Sequence, residues 1–346
     1  MKRDILPKVC VAVLNYNGLQ WLQGCLDSLA KTAYPNFEVL IADNSSTDGS
    51  QEFIKSRYPS MKLMAFDENL GFTGGYNRMF AYSDADYFVL LNNDTVVPEP
   101  NWINLLVAKM EEDPSIAAAT CKLVYLSDPE RINSIGGRGY WWTGSFDVGD
   151  GELDHGQYDD EKTDPFSFSG AAAMVRLPLI HQLNGFDEEL FAYREDFDLS
   201  WRLRLQGYKI VLVPGAKILH AGGGSFGSLS YRKIHLSSRN WLRLMLKNYE
   251  ASTLARGLLF YLVFEFVVRL FGTMWVKKNL RFGLIPFHSI LWNIKHLKST
   301  LRERQKVQKN RTIRDAAILE SMGPGGFEPI HHLLKRVKIL KKNTPT

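Results

Sequence analysis

The sequence predicts an α/β layer fold with a mostly parallel central sheet, followed by a helical, basic C-terminal region. Three observations carry that prediction. Apolar runs of strand length alternate with amphipathic helical segments over the first third of the chain. Those runs end in small polar residues, and charge is divided unevenly along the chain. Residues 1–225 hold 19 Lys+Arg against 31 Asp+Glu, a balance of −12, whereas residues 226–346 hold 23 against 6, a balance of +17. The expected boundary lies at residue 230, with 1–230 carrying the ligand chemistry and 231–346 a basic, aromatic-rich helical region with a mobile tail.

The elements follow in order. "KVCVAVLNYN" is a first strand, and Pro7 and Lys8 interrupt its apolar run, so the start reads as a strand and not as a signal peptide. "GLQWLQGCLDSLAKT" then sets Leu19, Leu22, Leu26 and Leu29 on one helical face. "FEVLIADNSS" is a second strand, followed by a helix from about Ser50 to Tyr58. "MKLMAFDEN" is a third strand, "GGYNRMFAYS" a helix and "DYFVLLNND" a fourth strand. Pro98 and Pro100 introduce the helix "NWINLLVAKMEED", since proline fits a first turn. From about Gly136 to Asp164 no period is visible, and so long a loop reads as functional. A strand "AAAMVRL", a helix near "EDFDLSWRLRLQGY" and a strand "KIVLVP" running into "GAKILHAGGGS" complete the first part.

Beyond Tyr231 the chain reads as helices. Leu258 to Val276 is nearly long enough to span a membrane but contains Glu265 and Arg269, so an in-plane or packed helix is expected. Arg239, Arg243, Lys247, Arg256, Lys277, Lys278 and Arg281 surround it, the pattern of an interfacial anchor on an anionic membrane. A helical bundle with solvated basic faces is the alternative. The scattered Cys10, Cys25 and Cys121 read as reduced thiols of an intracellular protein. An apolar content of 45% and a charged content of 23% exclude wholesale disorder.

In parallel sheets ligands collect beyond the carboxyl ends of the strands. That rule aligns Asn15–Asn17, Asp43–Ser46, Asp67–Asn69 and Asn92–Asp94 along one edge. Asp94, a lone carboxylate at a strand end, reads either as an Asx turn or as a ligand to a hard divalent cation. Asp196 opens a helix in which Asp198 and Arg202 are spaced i,i+4. Three carboxylates, Glu195, Asp196 and Asp198, exceed what helix capping needs, and acidic crowding raises a carboxyl pKa toward the range of a general base. His220, at a strand end before three glycines, is a candidate metal ligand or phosphate contact.

"VAVLNYNG", "IADNSSTDGS", "NLGFTGGYNRMF", "LLNNDT", "SGAAAMVR", "GFDEELFAYREDFDLSWRLRLQGY" and "ILHAGGGS" together resemble the family-2 glycosyltransferases of GT-A fold, nearest to bacterial rhamnosyltransferase-like members. The resemblance covers about residues 8 to 240. It implies a Rossmann-like catalytic domain that binds a nucleotide-sugar and inverts configuration on transfer. It implies a Mn²⁺ or Mg²⁺ ion held by Asp94 and His220, with Asn92 a weak ligand where relatives usually have aspartate. It makes Asp196 the catalytic base and places the donor on Leu14, Asn15, Asp43, Asn69, Gly71, Asn77 and Asn93. Ser169, Gly170 and Glu195 are expected near the sugar or acceptor; Trp141 and Trp142 read either as sugar contacts, since aromatic faces suit sugar rings, or as a small satellite core. The implied donor is dTDP-L-rhamnose, with a UDP-hexose as the alternative. The implied acceptor is a saccharide or a lipid-linked sugar at the cytoplasmic face of the membrane. Homo-oligomerisation is left open. A nucleotidyltransferase would need a basic, glycine-rich loop where "LNYNGLQWL" stands, and no nucleic-acid motif accompanies the basic residues, so no nucleic acid is expected as partner.

Overall fold

Alternation along single strands explains the layer arrangement. In Val9–Asn15 (β1), Val9, Val11 and Val13 enter one hydrophobic cluster, and Cys10 and Ala12 enter another on the opposite face. A strand covered on both sides must be apolar throughout, which is why the sequence shows continuous runs there. The structure, a computed structural model, describes residues 6–160, 163–222, 230–264, 266 and 279–323.

In chain order the first part contains Leu19–Leu29 (α1), Phe37–Asp43 (β2), Ser50–Arg57 (α2), Lys62–Ala65 (β3), Gly71–Tyr82 (α3), Tyr87–Asn92 (β4), Thr95–Val96 (β5) and Trp102–Glu112 (α4). Then come Ile116–Tyr125 (β6), Asp128–Ser134 (β7), Gly137–Gly139 (β8), Ser145–Asp147 (β9), Ala172–Arg176 (β10), Leu177–Gln182 (α5), Glu195–Leu205 (α6) and Lys209–His220 (β11). The main sheet has the order β3-β2-β1-β4-β10-β6-β11-β5, with β7 paired to β6. Only β5, β7 and β10 run against the common direction, so the strands are mostly parallel, as expected. Helices α1, α2 and α4 cover one face through Leu22, Leu26, Ile54, Trp102, Leu106 and Met110. Helices α3, α5 and α6 cover the other through Tyr76, Phe80, Ile180, Leu199 and Leu203.

Three features depart from the expectations. The alanine-rich β6 was not expected as a strand, because "IAAATCKLVY" offers little of the β-branched bulk that marks one. Strand β11 does not stop at Pro214. Its ladder with β6 breaks between Val213 and Lys217, where proline has no N–H to donate, and resumes from Lys217 to His220. Residues 136–164 are not a structureless loop. They contain β8 and β9, and the buried Lys122 pins them through Asp154 at 2.9 Å and through Asp159.

The chain divides into two units, one of Met1–Gly137 with Asp147–Ser228 and the other of Arg138–Phe146 with Leu229–Thr346. The second contains Tyr231–Asn248 (α7), Ala251–Phe264 (α8) and helices at Leu280–Gly283, Ile285–Lys295, Leu297–Asn310 and Asp315–Met322. Much of Leu258–Val276 (Glu265 and 267–278), with Lys277 and Lys278, lies outside the described residues. Among those described, no helix is long and apolar enough to cross a membrane. Arg243 and Lys247, expected on a basic surface, are each only 1% exposed. Arg243 is consumed internally, donating to Thr300 Oγ1 at 2.6 Å and Ser299 Oγ at 3.3 Å.

The first unit also buries an ion pair. Asp198 is fully buried, and Arg202 Nε donates to its Oδ2 at 2.9 Å while the two terminal nitrogens reach the carbonyls of Leu183 and Gly185. Arg202→Ala is expected to destabilise the fold by about 3–5 kcal/mol, because it strands a buried carboxylate. Replacing both residues by apolar ones of similar size (Asp198→Leu with Arg202→Met) should cost clearly less. Urea unfolding of the two variants checks this, and equal losses would contradict it.

Candidate active site

The site is built where β1, β2 and β4 end together. Register sets Leu14 beside Asn92 and Asn15 beside Asp43, so strand pairing alone aligns the polar ends. Asn15 Nδ2 donates to Asp43 Oδ1 at 3.0 Å, and Asn93 Nδ2 donates to Asn15 Oδ1 at 2.7 Å. Asp43 Oδ2 accepts from Ser46 N at 2.9 Å and from Gln51 Nε2 at 2.8 Å. Three of the expected donor contacts thus form one network. Gly18 closes it, since a Cβ there would stand 1.9 Å from Asn93 Nδ2 and 2.6 Å from Asn15 Oδ1. Ser46 lies in the stretch Asp43–Ser46 expected at the ligand edge, whereas Gln51 and Gly18 were not singled out, although Gly18 directly follows the "NYN" turn.

A second group organises the loop before α3. Asn44 accepts from Leu70 N at 2.9 Å and donates to Asn69 Oδ1 at 3.1 Å, and Asn69 in turn accepts from Gly71 N at 2.9 Å. The first amides of α3 are satisfied from far along the chain, Phe72 N and Thr73 N donating to the Phe191 carbonyl at 2.7 and 3.2 Å. Gly71 (φ +71) cannot be substituted without strain, since a Cβ would meet Phe191 O at 2.5 Å. Asn77, expected among the donor contacts, has both ends of its amide engaged elsewhere. Its Nδ2 donates to Phe186 O at 2.9 Å and its Oδ1 accepts from Phe186 N at 2.8 Å, so it clamps the segment that leads to Asp196.

That segment is strained. Phe191, Tyr193 and Arg194 all have positive φ (65°, 70° and 77°), which costs each of these side chains about 1–3 kcal/mol. The strain delivers Glu195 and Asp196 at the first turn of α6. Asp196 accepts from Gly170 N at 3.1 Å and Phe197 N at 2.7 Å. Gly170 follows Ser169, whose N–H is held by Thr120 Oγ1 at 3.1 Å, and precedes Ala171, whose carbonyl accepts from Asn92 N at 2.9 Å. Asp196 is therefore connected to the end of β4 through two residues.

Burial, then the charge of Asp196, pushes the Glu195 carboxyl up to about 8, and its Oε2 is buried without a hydrogen-bond partner. Burial also raises Asp196, with Asp147 adding to the rise, while the two backbone N–H groups favour its charged form. At neutral pH Glu195 keeps its proton, and the two N–H donors favour charge on Asp196 over charge on Glu195.

The third group joins Asp94 and His220. β5 pairs with β11 so that Thr95 lies opposite His220, and Ala221 N donates to Asp94 O at 3.0 Å. His220 Nε2 lies 3.2 Å from Asp94 Oδ1, and its Nδ1 lies 2.7 Å from Asn133 Oδ1. The Tyr125 hydroxyl donates to Asp150 Oδ1 at 2.5 Å, and Tyr125 and Asn133 both lie close to Gly222. Asn133 thus orients the ring through Nδ1 and turns Nε2 toward the Asp94 carboxylate. The 3.2 Å separation suits either a proton shared by the two atoms or a cation coordinated by both. The pair, with the Asn92 amide at the same strand end, fits a hard divalent ion that completes its shell from a ligand and water. Among the described residues no cluster of three or more His, Cys, Asp or Glu forms a closed metal cage. Asn133 and Tyr125 had no signal in the sequence.

Trp141 and Trp142 belong to the second unit. Trp142 is 7% exposed and packs on Phe264 with ring centroids 5.1 Å apart, and Trp141 packs on Phe260 at 5.3 Å. The pair is used for packing, which leaves little of the Trp142 ring to face a sugar.

Glu195→Gln keeps the shape of the neutral acid and removes its titration. Between pH 4.5 and about 8 the folded chain binds this proton more tightly than the unfolded chain, so wild-type stability falls as pH rises through that window. The variant should match wild type at the acid end and melt several degrees higher at the alkaline end, the ceiling being about 4–5 kcal/mol. Thermal unfolding at both ends of the window tests it, and equal midpoints at both would remove the buried neutral acid.

Comparison with known proteins places this architecture. The profile of glycosyl transferase family 2 matches residues 10–160, and that of glycosyl transferase family group 2 matches residues 87–291. The chain is 31% identical over 255 residues to the N-acetylglucosaminyl-diphospho-decaprenol L-rhamnosyltransferase of Mycobacterium tuberculosis, covering 65% of this chain and 78% of the relative. Among solved structures it is similar to GalNAc-T7 with UDP, GalNAc and Mn²⁺ (TM-score 0.57, 17% identity, 72% of this chain and 49% of that one). It is likewise similar to residues 1–349 of Staphylococcus aureus TarS with UDP-GlcNAc (TM-score 0.54, 17% identity, 91% of each chain). With a mostly parallel sheet ending in polar residues, a GT-A fold and these matches, the chain belongs to glycosyltransferase family 2.

Proposed function

We propose that this glycosyltransferase moves L-rhamnose from dTDP-L-rhamnose to a saccharide on a lipid-linked carrier, inverting the anomeric configuration, during assembly of a bacterial surface polysaccharide. The observation that carries the chemistry is the gathering of Asn15–Asp43, Asp94–His220 and Asp196 at one sheet edge, with Glu195 held neutral beside Asp196. The activity of the Mycobacterium tuberculosis relative supports the choice of sugar and of acceptor class. A UDP-hexose donor is the second reading, favoured by the UDP and UDP-GlcNAc of the solved neighbours. Transfer to such an acceptor takes place at the cytoplasmic membrane face, with residues 231–346 as the membrane and acceptor side.

The Asn15, Asp43 and Asn93 network binds and orients the nucleotide of the donor. Asp196 takes the proton of the acceptor hydroxyl, whose oxygen attacks the anomeric carbon opposite the diphosphate as the bond to the diphosphate breaks. The neutral Glu195 keeps a second negative charge away from that oxygen. A Mn²⁺ or Mg²⁺ ion held by Asp94 and His220, with Asn92 at its margin, supplies Lewis-acid stabilisation of the departing diphosphate when bound. One carboxylate base is sufficient, and no covalent sugar–enzyme intermediate is needed.

Thermal shift with dTDP, UDP and GDP, with and without Mn²⁺, tests the donor class, since a ligand that binds only the folded chain raises its midpoint. A preference for dTDP is expected, and a preference for UDP would replace rhamnose by a hexose. Asp196→Asn should lower transfer about 10²–10⁴-fold while the nucleotide shift survives. Full activity in that variant would sink the base assignment. Asp94→Ala should abolish the Mn²⁺-dependent part of the shift, and an unchanged shift would remove Asp94 from the metal site.

A further inference from the structure

We infer that Leu284, Phe287, Leu291, Ile294, Leu297 and Leu301 form the surface by which this chain docks on an anionic lipid bilayer. These residues are spaced three or four apart through two consecutive helices, Ile285–Lys295 and Leu297–Asn310, and so lie along one helical stripe. They are 41, 44, 62, 62, 41 and 47% exposed, an unusual state for six large apolar side chains in succession. The opposite side of the same helices is fully occupied. Ile285, Ser289, Asn293 and Thr300 are buried, and Asn293 Nδ2 donates to the Arg239 carbonyl of α7 at 2.9 Å. The stripe is therefore the outer face of a seated helix. It continues toward α8 through Phe266, whose ring lies 5.0 Å from that of Phe287, and α8 exposes Leu259 at 65% and Val263 at 57%.

Charge selects the occupant. Between residues 284 and 310 there are six basic side chains and one acidic one. Lys295, Lys298 and Arg302 are exposed and interleave with the stripe, and an open depression on the second helix is lined by Arg302, Lys306 and Lys309 with Glu303, which pairs with Lys306 at 2.7 Å. A second copy of this chain meeting the stripe face to face would bring two sets of like charges together. A bilayer accommodates both components, apolar side chains at the acyl boundary and Lys or Arg among anionic headgroups. The inference deepens the proposed function and rests on it for the lipid carrier of the acceptor. It centres the contact about 25 residues beyond Leu258–Val276, the segment the sequence singled out, and keeps Leu259 and Val263 at its margin.

Sedimentation of the full chain with phosphatidylcholine vesicles, with and without phosphatidylglycerol, tests it. Wild type should pellet with the anionic vesicles, and Leu291→Glu with Ile294→Glu should lower that partition about tenfold or more. Lys295→Gln, Lys298→Gln and Arg302→Gln together should remove the preference for anionic over neutral vesicles. Both substituted sets leave buried positions untouched, and an unaltered nucleotide thermal shift confirms that fold and donor site survive. Equal pelleting of wild type and the double glutamate variant overturns the proposal, as does no pelleting at all. A wild-type dimer by light scattering that the glutamate variant splits would make the stripe a subunit interface instead, which also overturns it. Docking without any nucleotide shift would fail the transfer reading and leave the docking surface standing.

Discussion

Burial of the central strands on both faces is the constraint from which the rest of the first unit follows. β1, β4 and β10 send alternate side chains into two separate clusters, so a polar group along their length would be left in an apolar layer. Polar chemistry is forced to the ends. Parallel register then does the assembling, because aligning β1 with β2 and β4 necessarily aligns Asn15 with Asp43 and Leu14 with Asn92. The antiparallel β10 belongs to the same logic. It brings Gly170 and Ala171 to the end of β4 from a distant part of the chain, and with them the backbone N–H that holds Asp196.

The strained stretch Phe191–Arg194 shows what that placement costs and what offsets it. Three residues with side chains adopt the left-handed region in four positions, where glycine would be relaxed. Their conformation is over-determined by α3: the Phe191 carbonyl satisfies two amides at the helix start, Asn77 grips Phe186 from both sides, and Thr73 Oγ1 reaches the Glu188 carbonyl at 3.2 Å. The segment "NLGFTGGYNR" thus holds the stretch that delivers Asp196. Its glycines allow close approach of backbone to backbone, at Gly71 against Phe191, where a sequence reading would expect approach to a ligand.

Much of the fold was legible because its signals are local. Continuous apolar runs, helical spacing of leucines and the polar strand ends all report structure within ten residues. What was not legible depends on partners far away. β6 is a strand because β10 and β11 flank it, and its own alanines report little. His220 reaches Asp94 only because the ladder restarts after Pro214, a matter of register that spacing does not reveal. Asn133 and Tyr125 stand behind His220 across a hairpin, in stretches with no motif. Lys247 and Arg243 were counted as surface charge, since sequence cannot distinguish a basic residue that snorkels from one enclosed by a helix bundle.

The division of charge along the chain bears on how two anionic substrates could be handled by one protein. The first part carries a balance of −12 and concentrates carboxylates at the sheet edge, which by itself repels a nucleotide diphosphate. A cation held by Asp94 and His220 would offset that repulsion locally, and the neutral Glu195 removes one further charge. The basic part, with +17, has no such conflict with the proposed lipid-linked carrier or anionic bilayer, and its field would act on either over about a Debye length. Selectivity between donor and carrier would then begin with sign and local field before any sugar is recognised, and the exposed stripe from Leu284 to Leu301 would add the apolar contact that attraction alone cannot supply.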